Sequence, residues 1–146
     1  MTTRHDESMI SEPILLASAL ARFDSLWSPR IVTRVNDYDV RIAKVAGEHV
    51  WHAHDDTDEF FLVLEGELTV ELRGTGYGDP GADAAGRTVV LPQGAVFTVP
   101  RGVEHRPSSA AGASILMFEP TGTLSVGDRH DPLPGHIDAT VGHELG

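Results

Sequence analysis

A series of short β-rich runs, each followed or closed by glycine or proline, constrains this chain most: VRIAKVA from Val40, EFFLVLEG from Glu59, ELTVELRG from Glu67, RTVVLPQG from Arg87, AVFTVPRG from Ala95 and SILMFEP from Ser114. Several short strands at fairly even spacing, with no helical stretch between them, predict an all-β sandwich or barrel across residues 31–120. Within it, GTGYGDPGADAAGR at 74–87 reads as a mobile hairpin connection rich in glycine and alanine. Residues 1–30 form a separate segment. There Ile14, Leu15, Leu16, Leu20, Phe23, Leu26 and Trp27 recur at spacings near three and four, which predicts a short amphipathic helix over Pro13–Trp27, packed against the outside of the barrel. Residues 121–146 carry DPLPG and little apolar content, and read as an extended, partly ordered tail. No internal repeat is visible.

The 146 residues suit one domain, and a compact fold of that length buries about 68–70% of the surface its unfolded chain exposes. Acidic residues outnumber basic ones by 22 to 11, and the net charge of −11 repels phosphate backbones and anionic lipid surfaces. Nucleic acid and membrane are therefore not expected partners. With no cysteine, any metal must be held by nitrogen and oxygen. No apolar run approaches the ~20 residues of a membrane span, and MTTRHDESMISEP lacks the layout of a secretory leader. A cytoplasmic protein is the expectation.

Chemistry concentrates in WHAHDDTDEFFLVLEGELTVEL, residues 51–72. Successive side chains of a strand point to opposite faces, so His52 and His54 share one face at a separation of about 6–7 Å. Two imidazoles so placed grip one cation. The loop DDTD is expected to return the chain antiparallel, so that Glu59 adds a carboxylate and completes a facial arrangement of two histidines and one acid. Further on, GAVFTVPRGVEHRP supplies a strand, a Pro-x-Gly turn and His105, a candidate fourth ligand.

The stretch from Gly47 through His52, His54 and Glu59 to Gly66 resembles the first conserved motif of the cupin superfamily, and Gly94 through Pro100 and Gly102 to His105 resembles the second. The likeness spans roughly residues 31–120. Two departures stand out: the interval between Gly47 and His52 is one residue shorter than the usual pattern, and Ser109 stands where the second motif often ends in asparagine. The resemblance implies a single cupin jelly-roll β-barrel (an RmlC-like fold) with a short N-terminal helix and an extended C-terminal tail. It also implies one divalent transition metal (Mn, Fe, Ni, Cu, Co or Zn) held by His52, His54, Glu59 and His105, and a homodimer. The wording is closest to small stand-alone members described as mannose-6-phosphate isomerase-like.

A metal held by four protein ligands keeps positions open for substrate, which points to an enzyme acting on a small oxygen-rich metabolite by dioxygenase- or isomerase-type chemistry. The alternative is a binding or sensing module without turnover. No catalytic residue beyond the metal set is identifiable. Phe61 and Val63 share the parity of Glu59 and are candidate pocket walls. Arg101 and Arg106 flank His105 as candidate substrate contacts, with pairing to Glu104 or the acidic loop as the competing assignment. His49, of opposite parity to His52, is expected to be a solvated or hydrogen-bonded bystander, like His5, His130, His136 and His143 near the ends.

Overall fold

The computed structural model describes residues 12–74 and 86–145. Among these described residues, ten strands and one short helix α1 (Leu16–Leu20) follow in chain order: β1 (Arg30–Val35), β2 (Tyr38–Glu48), β3 (His52–Ala53), β4 (Glu59–Gly66), β5 (Leu68–Arg73), β6 (Arg87–Leu91), β7 (Val96–Val99), β8 (Glu104–Pro120), β9 (Arg129–His130) and β10 (His143–Glu144). The all-β architecture expected from the punctuated runs is present. The proposed connection at 74–87 falls mostly outside the described residues, as does His5; β5 and β6 on either side of it pair antiparallel.

The seventeen-residue β8 organises the barrel. Its second half lies between β2 and β4, with Leu116 opposite both Ile42 and Leu62. Its first half lies between β5 and β3, with His105 opposite both Leu72 and His52. Between the halves the chain bends at Gly112, which has a positive φ of 99°. Ser109 serves this bend: its hydroxyl donates to the Glu67 carbonyl at 2.7 Å and accepts from the Gly112 N–H at 3.1 Å. Serine thus does locally what a longer amide could do. The shortened Gly47–His52 interval sits just past an irregularity in the β2–β8 register between Val45 and Gly47.

Alternation decides which side chains meet inside. Phe61 and Val63 of β4, Leu68 and Val70 of β5, and Ile115 and Met117 of β8 point inward to one buried cluster. The opposite face of β2 and β8 carries Ile42, Val40 and Leu116, and these pack beneath Ala19, Leu16 and Phe23 of the N-terminal segment.

The helix is shorter than the expected Pro13–Trp27. It opens on Leu15 in an extended conformation with no side-chain cap and no acidic residue in its first turn, so nothing satisfies its free N–H groups beyond one turn. The three-and-four spacing has a second cause: Phe23 joins the outer cluster while Trp27 inserts into the barrel core. To do so Trp27 adopts a left-handed φ of 56° and donates its indole N–H to the Ala46 carbonyl at 2.9 Å. Lys44, the sole lysine, bonds the Phe23 carbonyl at 2.7 Å and ties this segment to β2.

The C-terminal segment is extended, as expected, and it is tied down rather than partly ordered. β9 pairs with β3 and β10 runs parallel to β1. Val126 and Ile137 enter the core, and Asp138 accepts a bond from Ser28 at 2.8 Å. Low apolar content hid this because backbone pairing and side-chain hydrogen bonds, together with only two core residues, hold the segment.

Candidate metal centre

His52 comes from β3, His54 from the residues just after it, Glu59 from the start of β4 and His105 from the second position of β8. The expected antiparallel return from His54 to Glu59 does not occur. β3 lies on the first half of β8 and β4 on the second, so the acidic loop crosses from one part of the barrel to the other. Glu59 therefore approaches from a different wall than the histidines. The consequence favours coordination: one ligating atom from each of the four side chains falls within a set no wider than 4.8 Å. An ion bonded at about 2.1 Å places neighbouring ligand atoms about 3.0 Å apart and opposite ones about 4.2 Å apart, close to the spread found.

Burial and hydrogen bonding fix the donors. His52, His54, Glu59 and His105 are all buried. His52 Nδ1 lies 2.9 Å from the Val50 carbonyl and His105 Nδ1 lies 3.0 Å from the Val103 carbonyl. A carbonyl only accepts, so both Nδ1 atoms carry the hydrogen and both Nε2 atoms present lone pairs to the centre. There Glu59 Oε1 stands 2.7 Å from His105 Nε2, 3.3 Å from His54 Nε2 and 3.8 Å from His52 Nε2. Lone pairs of imidazole and carboxylate repel at such distances unless a proton or a cation lies among them. His54 Nε2 is moreover buried with no hydrogen-bond partner, a costly condition that a metal removes. The residues present therefore fit a divalent ion.

The protonation tendencies follow the same geometry. Burial, joined by the neighbouring His105 charge, holds His52 below the ordinary imidazole value. Burial also opposes protonation of His54, but the charge of the nearby Glu59 carboxylate outweighs it and raises that group. Burial alone would raise Glu59; the His54 charge first, and the close approach of the His105 and His52 rings, instead hold it well below the usual carboxylate range.

Behind Glu59 lies a feature the sequence reading missed. Glu119, on the inward face of β8 with Ile115 and Met117, lines the same cavity as Glu59. Burial first, and the Glu59 carboxylate beside it second, push Glu119 well above the usual carboxylate range, against the Arg41 charge. Arg41, fully buried, donates from Nη1 to Glu119 at 2.8 Å and to the Thr123 carbonyl at 2.9 Å, and from Nη2 to Asp39 at 2.9 Å. Asp39 also accepts from Thr121 at 2.7 Å and Arg34 at 3.1 Å. The available signal was parity: Asp39 and Arg41 occupy the same face as Ala43 and Val45, where a charged residue has to be paired.

His49 is hydrogen-bonded and outside the four clustered donors, the second of the two expectations for it, but it is buried; its ring centroid is 4.6 Å from that of His52 and 5.1 Å from that of Trp27. Burial, then the His52 charge, pushes it down to about 3, so the ring is neutral. Parity failed because β2 ends at Glu48 and β3 starts at His52, leaving His49 in an irregular segment to which strand alternation does not apply. Its N–H donates to the Pro107 carbonyl at 2.9 Å, and its Nδ1 shares the Val50 carbonyl with His52, at 3.2 Å.

Of the other candidates, Phe61 lines the cavity, whereas Val63 is wholly buried in the core and does not face it. Arg101 and Arg106 do not reach the centre. Arg101 faces Asp58 of the acidic loop, with its guanidinium 3.5 Å away, and Arg106 is held by Glu71 at 2.7 Å rather than by Glu104. His130 and His143 bond locally at the surface, and His136 bonds the Glu48 carbonyl. The inner cavity beside His52, Glu59 and Phe61 has a volume of about 30 Å³. Two clefts approach from outside: one of about 490 Å³ over Trp51 and Arg106, and one of about 260 Å³ between His54, Thr57 and Thr123.

A family model described as "Cupin domain" matches residues 38–119, from β2 to the end of β8 and including all four clustered ligand candidates. This chain belongs to the cupin family. A cupin-2 domain-containing protein from Shewanella frigidimarina NCIMB 400 has a similar structure, with 34% identity and a TM-score of 0.62 over 73% of this cupin and 93% of that chain. The uncharacterized protein YdbB of Bacillus subtilis (strain 168) is 37% identical over 78 residues, 53% of this cupin and 59% of YdbB, so the match spans little more than half of that relative. The hydroquinone 1,2-dioxygenase of Sphingomonas sp. TTNP3 shares the fold at 22% identity and a TM-score of 0.63, over 75% of this cupin and 32% of that chain. No helix among the described residues is long and apolar enough to cross a membrane.

Proposed function

We propose that this cupin is a metal-dependent enzyme in which His52, His54, Glu59 and His105 hold one divalent transition metal and present it to a small, oxygen-rich, chelating metabolite. The observation that carries this reading is the convergence of three imidazole nitrogens and one carboxylate oxygen, one nitrogen being buried without any hydrogen-bond partner. A bound metal would act as a Lewis acid toward chelating oxygens, in oxygenase- or isomerase-type chemistry. The protein's own part is to fix the donors. The Val50 and Val103 carbonyls set the histidine tautomers, as partners of ligand imidazoles commonly do, and Phe61, Ile115 and Met117 form an apolar wall beside them.

Charge argues against a phosphosugar. Arg41 is occupied by Asp39 and Glu119, Arg106 by Glu71, and Arg101 by Asp58. No unpaired cation lines the inner cavity among the described residues, so a phosphate would have no partner there. An uncharged or singly charged chelator suits it better. Elemental analysis of protein purified without chelator is expected to give near-stoichiometric metal. With iron, nickel, copper or manganese bound, a panel of catechols, diketones and thiols is then expected to show metal-dependent oxygen consumption or isomerisation. Protein that takes up no metal after reconstitution would overturn the reading. The confined inner cavity favours a second reading, a binding module without turnover, which stoichiometric metal with no turnover across the panel would support.

Gly127 gives a local check. Its φ is 73°, and a side chain there would collide with the Ala53 backbone between His52 and His54. Gly127→Ala is expected to weaken metal binding by about tenfold, as disturbed supports of ligands do, read by competition titration; unchanged affinity would show that β3 tolerates the displacement.

The homodimer belongs to the same proposal. Tyr38 and Phe118 stack at 4.8 Å on the outer face, beside half-exposed Val35. Light scattering is expected to give about twice the 15.7 kDa chain mass, and the single-chain mass at all concentrations would remove the dimer.

A further inference from the structure

The inner cavity cannot hold a metabolite. Its volume of about 30 Å³ accommodates about two water-sized groups, whereas small-molecule sites run to about 300–1,000 Å³. The cleft over Trp51, at about 490 Å³, has the required size. Among the described residues, one lines both spaces: His49. It is buried between them, with its ring against His52 and Trp27 on the inner side.

We propose that His49 is the movable partition of a two-part substrate site. The chelating oxygens of the substrate occupy the inner cavity beside His52 and Glu59. Its carbon body lies in the outer cleft, walled by Trp51, Pro132, Leu133 and Pro134, with Arg106 and His136 at the polar margin. The substrate class is a small molecule with chelating oxygens at one end and a largely apolar body at the other. This rests on the metal reading above.

His49 suits the role because it can move cheaply. It is not one of the four clustered donors, and its side chain keeps a single hydrogen bond, the longer of two to the Val50 carbonyl. If it swings away, His52 keeps that carbonyl at 2.9 Å, so the tautomer of the neighbouring ligand is preserved. The cleft beside His54 offers no comparable route. It meets the His54 ring, whose Nε2 is sealed from solvent, and entry there would displace a ligand.

The test uses the full chain loaded with Co(II) alone. Stopped-flow spectroscopy follows removal of the metal by 2,6-pyridinedicarboxylate as a function of chelator concentration, and a separate titration gives equilibrium Co(II) affinity. In His49→Ala the second-order removal rate is expected to rise by about tenfold, the effect of lowering a barrier by about 1.36 kcal/mol, with affinity unchanged. His49→Trp and Leu133→Trp, which narrow the partition and the cleft, are expected to slow removal. Equal rates in all proteins, a rate independent of chelator concentration, or a loss of affinity that parallels the faster removal would each overturn the partition. So would slowing by Thr57→Trp, in the other cleft, without slowing by Leu133→Trp. If the wild-type chain takes up no Co(II), the metal reading falls and the partition with it; if it takes up Co(II) and the rates do not differ, the partition alone falls.

Discussion

Replacing Arg41 with methionine is expected to lower folding stability by about 3–5 kcal/mol, the range for removing one partner of a buried ion pair. The arginine is wholly inaccessible and lies between Asp39 and Glu119, which are equally enclosed. Without it Glu119 loses its cation, Asp39 keeps as a cation only the half-exposed Arg34 at 3.1 Å, and the Thr123 carbonyl loses its donor. The triple variant Arg41→Met, Asp39→Asn, Glu119→Gln keeps the shape and removes the charges. It is expected to recover most of the loss, because a complete buried ion group is often replaceable at little net cost. Urea unfolding of the three proteins checks both statements. A loss below about 1 kcal/mol in Arg41→Met, the size of an exposed pair, would show that solvent reaches the group.

Glu59→Gln is expected to reduce metal affinity by more than about 100-fold, beyond the range for disturbing a ligand's supporting partner. The substitution preserves volume while removing the sole carboxylate among the four donors. It also removes the charge that raises His54. Competition titration with Co(II) reads the affinity directly, with circular dichroism to confirm the fold. A linked measurement uses stability: metal at a hundredfold excess over Kd adds about 2.7 kcal/mol to a protein that binds it only when folded. Wild type is expected to show this gain and Glu59→Gln to lack it; equal gains would place the ion elsewhere.

The fold and the four clustered donors were legible because they depend on local rules. EFFLVLEG and SILMFEP are short runs rich in aromatic and branched apolar residues, and a glycine or proline marks the end of each. His52, His54, Glu59 and His105 sit beside these marks and share an inward face. What was not legible depends on where strands go. The crossing of the Asp55–Asp58 loop between two walls cannot be read from its sequence, because a short polar loop serves a hairpin and a crossover equally well. The assignment of Phe23 and Trp27 to one helix face followed their spacing, yet they enter two different clusters. His49 escaped because strand parity ends with the strand. Glu119 escaped because its partner Arg41 is 78 positions away, and an isolated carboxylate near a strand end is ordinarily solvated.

The central position of β8 has a consequence for synthesis. β2, β3, β4 and β5 all precede it in the chain, and all four pair with it. A nascent chain shorter than about a hundred residues can close the β1–β2 hairpin, but β4 and β5 lack their shared neighbour, and such unpaired edges are the usual starting points of aggregation. Every one of those pairings spans dozens of residues, so the barrel assembles late and through non-local contacts. The ribosome must deliver His105 before any of the other three donors has a completed wall to sit in, and the binding site and the folded state arrive together.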